Sequence, residues 1–167
     1  VYTDGACSGN PGPAGSGFLI IDHHNRDRLV EGYEYLGQAT NNVAELTAVL
    51  RGVEAIADRQ ATARVYTDSS YAIGVLQKGW KAKANTELIE VIRRELATRP
   101  NVRLQYVPGH AGVRFNEQAD LLARTAVETR SSRALPVVGA PEADAQITNQ
   151  NTQKPPQATP GKGEDEK

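Results

Sequence analysis

At 167 residues, 39% of them apolar, the chain holds one ordinary domain plus an appendage. Its single cysteine, Cys7, excludes an internal disulfide framework, and no apolar run approaches the roughly 20 residues that cross a bilayer, so a soluble, reduced, cytoplasmic setting without membrane contact is expected. The formal net charge is -1, with four basic and five acidic residues from Arg133 onward and 15 of each sign before it, which excludes a molecule-wide positive field. A polyanionic partner would have to be held by local patches or bound cations.

Residues 1–3 read as a β-prone stub stopped by Asp4-Gly5. Residues 17–22 (GFLIID) form a second strand closed by the polar turn HHNRD, in which His23 and His24 are solvated. Residues 28–37 alternate as a third strand and complete a meander. Apolar residues at 43, 46, 50, 53 and 57 have the spacing of a helix that buries one stripe, running to about Arg59. A buried strand at 63–67, a short helix at 69–77, an amphipathic helix at 86–98, a strand VRLQYV and a last helix from about Asn116 follow. The order βββαβαβα predicts an α/β domain over residues 1–130, with a five-stranded mixed sheet flanked by helices. In it, strands one to three form an antiparallel meander, and strands four and five run parallel to strand one. Residues 131–167, rich in Pro, Gln, Thr, Ala and Asn, read as a disordered tail or linker.

Four acidic residues stand at ends or starts of these elements: Asp4 at the end of strand one, Glu45 in the first turn of the first long helix, Asp68 at the end of strand four and Asp120 in the last helix. Each has an ordinary reading. Asp4 could make an Asx turn, Asn42 could cap the helix with Glu45 as its box partner, Asp68 could be an N-cap, and Asp120 could pair with Arg124 one turn later. Together they point elsewhere, because the crevice of an open sheet lies beyond the carboxyl ends of its strands. Carboxylates gathered there repel one another unless hard divalent cations neutralise them, and a two-ion site suits phosphodiester hydrolysis.

The segments TDGACSGNPGPAGSG (3–17), TNNVAEL (40–46), YTDSSY (66–71), GHAG (109–112) and NEQADLLAR (116–124) resemble type 1 ribonuclease H in order and spacing, over residues 1 to about 130. The resemblance implies the ribonuclease H-like fold and hydrolysis of the RNA strand of RNA/DNA hybrids, leaving 5′-phosphate and 3′-hydroxyl ends. It also implies two Mg²⁺ ions, replaceable by Mn²⁺, on Asp4, Glu45, Asp68 and Asp120, and a mobile-loop histidine, His110, that shuttles protons or releases product. By the same resemblance Asn10, Asn41 and Asn42 face the 2′-hydroxyls of the RNA with Cys7 adjacent, Ser70 makes a shortened minor-groove contact or none, and Thr40 and Asn85 form a phosphate pocket for the DNA strand. A monomer is expected.

Three departures from the family pattern stand out. Ser70 occupies a position where many members carry Gln, and Gln38 lies near where the phosphate pocket often has Arg. The extra helix and cationic loop of handle-bearing members shrink here to KGWKAKA (78–84). There Trp80 sits among three lysines, a pattern suited to phosphate attraction and sugar packing or, equally, to a solvated loop anchored by its indole. Two rival readings remain: another nuclease on the same sheet, including one that cuts RNA/RNA duplexes, and a catalytically inactive hybrid-binding module. TNN beside Glu45 and the GHAG loop separate the first from the family, and the complete carboxylate set weighs against the second.

Overall fold

A computed structural model describes residues 1–109 and 113–134 of the chain. Strands β1 (Tyr2–Cys7), β2 (Gly12–Ile21) and β3 (Arg28–Ala39) form the expected antiparallel meander. Helix α1 (Asn41–Glu54), strand β4 (Ala63–Thr67), helices α2 (Ser70–Gln77) and α3 (Thr86–Ala97), strand β5 (Val102–Tyr106) and helix α4 (Arg114–Thr129) follow. Strands β4 and β5 run parallel to β1, as the element order predicts.

The sheet has six strands rather than five, in the order β5-β4-β1-β2-β3-β6. The extra strand, β6 (Arg133–Ala134), pairs with Gly32 and Tyr33 of β3, and Ser132 Oγ accepts a hydrogen bond from Tyr35 N at 2.9 Å. The sheet therefore extends past residue 130. A two-residue strand held by backbone bonds has no side-chain periodicity to announce it. The rest of the expected tail, residues 135–167, lies outside the described residues.

Two faces of the sheet bury different layers. On one, Val65 and Leu104 meet Leu46, Val49 and Val53 of α1 and Ile89 and Ile92 of α3. Each such side chain fully withdrawn from water stabilises the fold by about 1.5–3 kcal/mol. On the other face, Leu19 packs against Phe115 and Ala119 of α4. Helix α4 covers β1, β2 and β3. The outer halves of β4 and β5 on that face carry the exposed Arg64, Arg103 and Gln105.

Several boundaries differ from the sequence expectation. Strand β1 continues through Asp4-Gly5 to Cys7, and β2 begins at Gly12 rather than Gly17. Gly5, Gly15 and Gly17, which interrupt the apolar pattern, are there because helices lie directly on them. Helix α1 ends at Glu54, short of Arg59, where the Ala55 N–H reaches back to the Arg51 carbonyl. Helix α4 begins at Arg114 rather than Asn116.

Candidate active site

The parallel register pairs Tyr2 of β1 with Tyr66 of β4, so two residues further along Asp4 stands beside Asp68. Asp4 is thus mid-strand, not the last residue of β1, while Asp68 directly follows β4 as expected. Alternation aims Asp4 at the α4 side and Gly5 at α1. A Cβ on Gly5 would lie 2.6 Å from Glu45 N, so only glycine lets α1 settle this closely on β1 and bring Glu45 to Asp4. Across the antiparallel ladder Asp4 is opposite Gly17, where a Cβ would lie 2.5 Å from both Ala119 O and Ala123 N. That close approach carries Asp120 to the same end of the site.

The ordinary reading of each carboxylate fares differently. Thr40, not Asn42, caps α1, its side chain accepting from Val43 N at 3.2 Å; Glu45 therefore falls in the second turn, outside any capping box. Ser69, not Asp68, caps α2 through Ala72 N at 3.0 Å. Asp4 does accept from Gly5 N at 2.8 Å, and Asp120 does pair with Arg124 Nε at 2.9 Å. For Asp68 and Glu45 the local explanation is gone.

Ligand atoms of Asp4, Glu45 and Asp68 all lie within 4.8 Å of one another. Burial raises the Asp4 carboxyl to about 7, with the charges of Asp68 and Asp120 adding to the effect. Glu45 is held well above the usual carboxylate range, first by burial and then by the charges of Asp4 and Asp68. Glu45 Oε2 is buried with no hydrogen-bond partner among the described residues. A buried, orphaned carboxylate oxygen facing two further carboxylates is an oxygen-only donor set, which fits a hard divalent cation. Asp120 stands outside this tight trio, half-buried and turned to Arg124, yet close enough for its charge to act on Asp4.

A family model for RNase H matches residues 1–128. The chain belongs to the ribonuclease H family. A Ribonuclease H of Syntrophomonas wolfei is 37% identical over 142 residues, covering 77% of this chain and 95% of that protein. One from Saccharopolyspora erythraea is 38% identical over 137 residues, covering 74% and 86%. Among solved structures, LC11-RNase H1 in complex with an RNA/DNA hybrid aligns with a TM-score of 0.69 at 33% identity, covering 77% of this chain and 96% of that one. RNase H1 of Halobacterium salinarum aligns at 0.65 and 31%, covering 77% and 96%. As in ribonucleases H generally, the chain is a phosphodiester-cleaving enzyme on a mixed sheet.

Most of the expected ribonuclease H substrate residues fall into two clusters. In the first, Asn10 Oδ1 accepts from Asn41 N at 3.1 Å, Cys7 Sγ lies 3.3 Å from Ala39 O, and Thr40 and the exposed Asn42 adjoin them at the start of α1. In the second, the exposed Ser70 opens α2, and Asn85, left-handed at φ 61°, precedes α3 and donates from Nδ2 to Tyr71 Oη at 3.3 Å. Trp80 is 49% exposed, with its ring laid on Gly74. His110 lies outside the described residues. What sequence reasoning missed are the positioning groups: Gly5, Gly17 and Gly109, where a Cβ would come 2.5 Å from Asp68 Oδ2. In the sequence Gly5 reads as part of a strand stop and Gly17 as the first residue of a strand, and neither pattern signals a helix contact.

Proposed function

We propose that this ribonuclease H hydrolyses the RNA strand of RNA/DNA hybrids, with Asp4, Glu45, Asp68 and Asp120 holding Mg²⁺ and Mn²⁺ able to replace it. The observation that carries the reading is the trio of Asp4, Glu45 and Asp68, whose ligand atoms meet within 4.8 Å and leave Glu45 Oε2 buried without a hydrogen-bond partner among the described residues. The bound ions would supply an activated water and charge neutralisation for the departing oxygen. The chain's own residues position them: β1 and β4 present Asp4 and Asp68 side by side, α1 adds Glu45 and α4 adds Asp120. The Asn10 to Asn42 cluster reads the minor groove of the RNA strand, and Thr40 with Asn85 receives a DNA phosphate at helix N-termini. His110 shuttles protons or assists release. Among the described residues no helix is long and apolar enough to cross a membrane, and a monomer working in the cytoplasm is part of this proposal.

The test is cleavage of labelled RNA/DNA, RNA/RNA and DNA/DNA duplexes in Mg²⁺, Mn²⁺ or EDTA. Only the hybrid should be cut, at the RNA strand, and EDTA should stop it. Asp68→Asn keeps size while removing charge and should lower kcat by at least about 10³-fold with the fold intact. Hybrid cleavage that persists in EDTA, or an Asp68→Asn enzyme near wild-type rate, would reject the metal reading.

A further inference from the structure

Beside the carboxylates, on the same face of the sheet, β4 and β5 present a second set of groups that hydrolysis does not use. Alternation puts Asp68, Tyr66 and Arg64 on this face of β4, with steps of about 6.6 Å between them. Its neighbour β5 places Gln105 in register with Tyr66 and Arg103 in register with Arg64. Arg64, Arg103 and Gln105 are exposed. Two like charges directly across a strand pair destabilise a sheet. Neither arginine finds a carboxylate among the described residues: Arg64 Nη1 donates to Gln105 Oε1 at 2.8 Å, and Arg103 Nη1 to the carbonyls of Pro100 and Val102.

The interior flank of this face is aromatic. Tyr66 stacks on Tyr2 with ring centroids 4.8 Å apart, and Tyr2 packs on Phe115 at 5.4 Å. Arg26 and Arg114 close the row, their guanidinium carbons 5.0 and 5.5 Å from the Phe115 centroid. Neither of these arginines is paired with a described carboxylate. A near-neutral molecule thus keeps four uncompensated arginines around one aromatic row, running directly away from the cleavage site.

We infer that this Arg64–Arg103–Tyr66 face binds a single-stranded nucleic-acid extension leaving the hybrid. This rests on the hydrolase reading and extends its footprint. The phosphates would neutralise the paired arginines, and the tyrosine offers a surface on which an unpaired base can stack. A duplex flank would keep its bases hidden from the ring, so the single strand is the occupant the chemistry selects.

The direct probe is a labelled oligothymidylate DNA of about 12 nucleotides, a length within single-strand site sizes and not a substrate for RNA-strand cleavage. Fluorescence anisotropy would be followed against salt in Mg²⁺ buffer. Replacing both arginines, Arg64→Ala with Arg103→Ala, should weaken binding about tenfold and flatten the log–log salt slope by roughly 1.4, while the paired Arg→Lys variant keeps the slope. A melting temperature at or above that of wild type would confirm that the double variant is folded. Oligothymidylate affinity unchanged in the double-alanine protein would overturn the inference, as would equal, arginine-dependent binding of polyglutamate, which would mark a site for acidic peptides. A protein that fails to cut hybrids but shows arginine-dependent DNA binding would sink the hydrolase reading and leave this surface standing.

Discussion

At the level of single residues, the site depends less on the acidic groups themselves than on the glycines beneath them. A Cβ at Gly17 would collide with backbone atoms of α4, which cannot rotate aside as a side chain can. Gly17→Ala should therefore push α4 outward, costing about 1–3 kcal/mol of stability. Displacing Asp120 by the order of 1 Å should cost about 10²-fold in kcat/KM. Gly37→Ala is the matched control. Gly37 has φ 68°, so alanine there is strained, yet no atom lies within 4 Å of the added carbon. It should lose stability of about 1 kcal/mol and keep its rate. Thermal melts and steady-state kinetics on both variants decide the matter; comparable activity losses in the two would show that close helix approach at Gly17 has no special part in the site.

The elements show what the sequence could and could not disclose. Helix α1 was legible from its apolar stripe, of which Leu46, Leu50 and Val53 are buried at helical spacing, although burial runs unbroken from Ala44 to Leu50 and Ala57 lies beyond the helix and exposed. Its start was not, since Thr40, Asn41 and Asn42 are all plausible caps and only the fold shows that Thr40 makes the bond. Asp68 was legible as a strand-end carboxylate, whereas Asp4 was misplaced because Asp-Gly stops most strands and here does not. The convergence of Asp4, Glu45 and Asp68, 64 positions apart in sequence at the extremes, follows from parallel register, which no local pattern encodes.

The loop between α2 and α3 belongs to the same scale. Trp80 N donates to Gly74 O at 3.0 Å and its ring covers Gly74, which braces a segment whose Lys78, Lys81 and Lys83 are exposed. A braced cationic loop loses little entropy when it meets phosphate. Replacing the three lysines with alanine should lower hybrid affinity about tenfold at low salt and reduce the log–log salt slope by up to about 2.7. Filter binding across a salt series measures both. An unchanged slope would reduce the loop to a solvated connection.

For the whole molecule, the carboxylate cluster sets a conflict between function and stability that pH should expose. Asp4 ionises near pH 4 in the unfolded chain but only at about 7 in the folded one. Between those values the folded state holds a proton the unfolded state has released, so metal-free stability falls as pH rises through the window and levels off above it. Glu45, raised by the same burial and charges, acts in the same direction. Asp22 works oppositely: backbone N–H groups of His24 and Asn25 lower its pKa, so its contribution is lost only as pH falls below the usual carboxylate range. Divalent ions bind the ionised carboxylates of the folded state alone and should remove the penalty, most strongly where it is largest. In EDTA, Tm should therefore drop by several degrees between about pH 5 and 8, Mg²⁺ should restore most of it at pH 8, and Asp4→Asn should flatten the EDTA curve. A metal-free Tm that rises over that interval would mean that the four acidic groups do not oppose one another in the folded protein. The electrostatic basis for a cation site would then be lost.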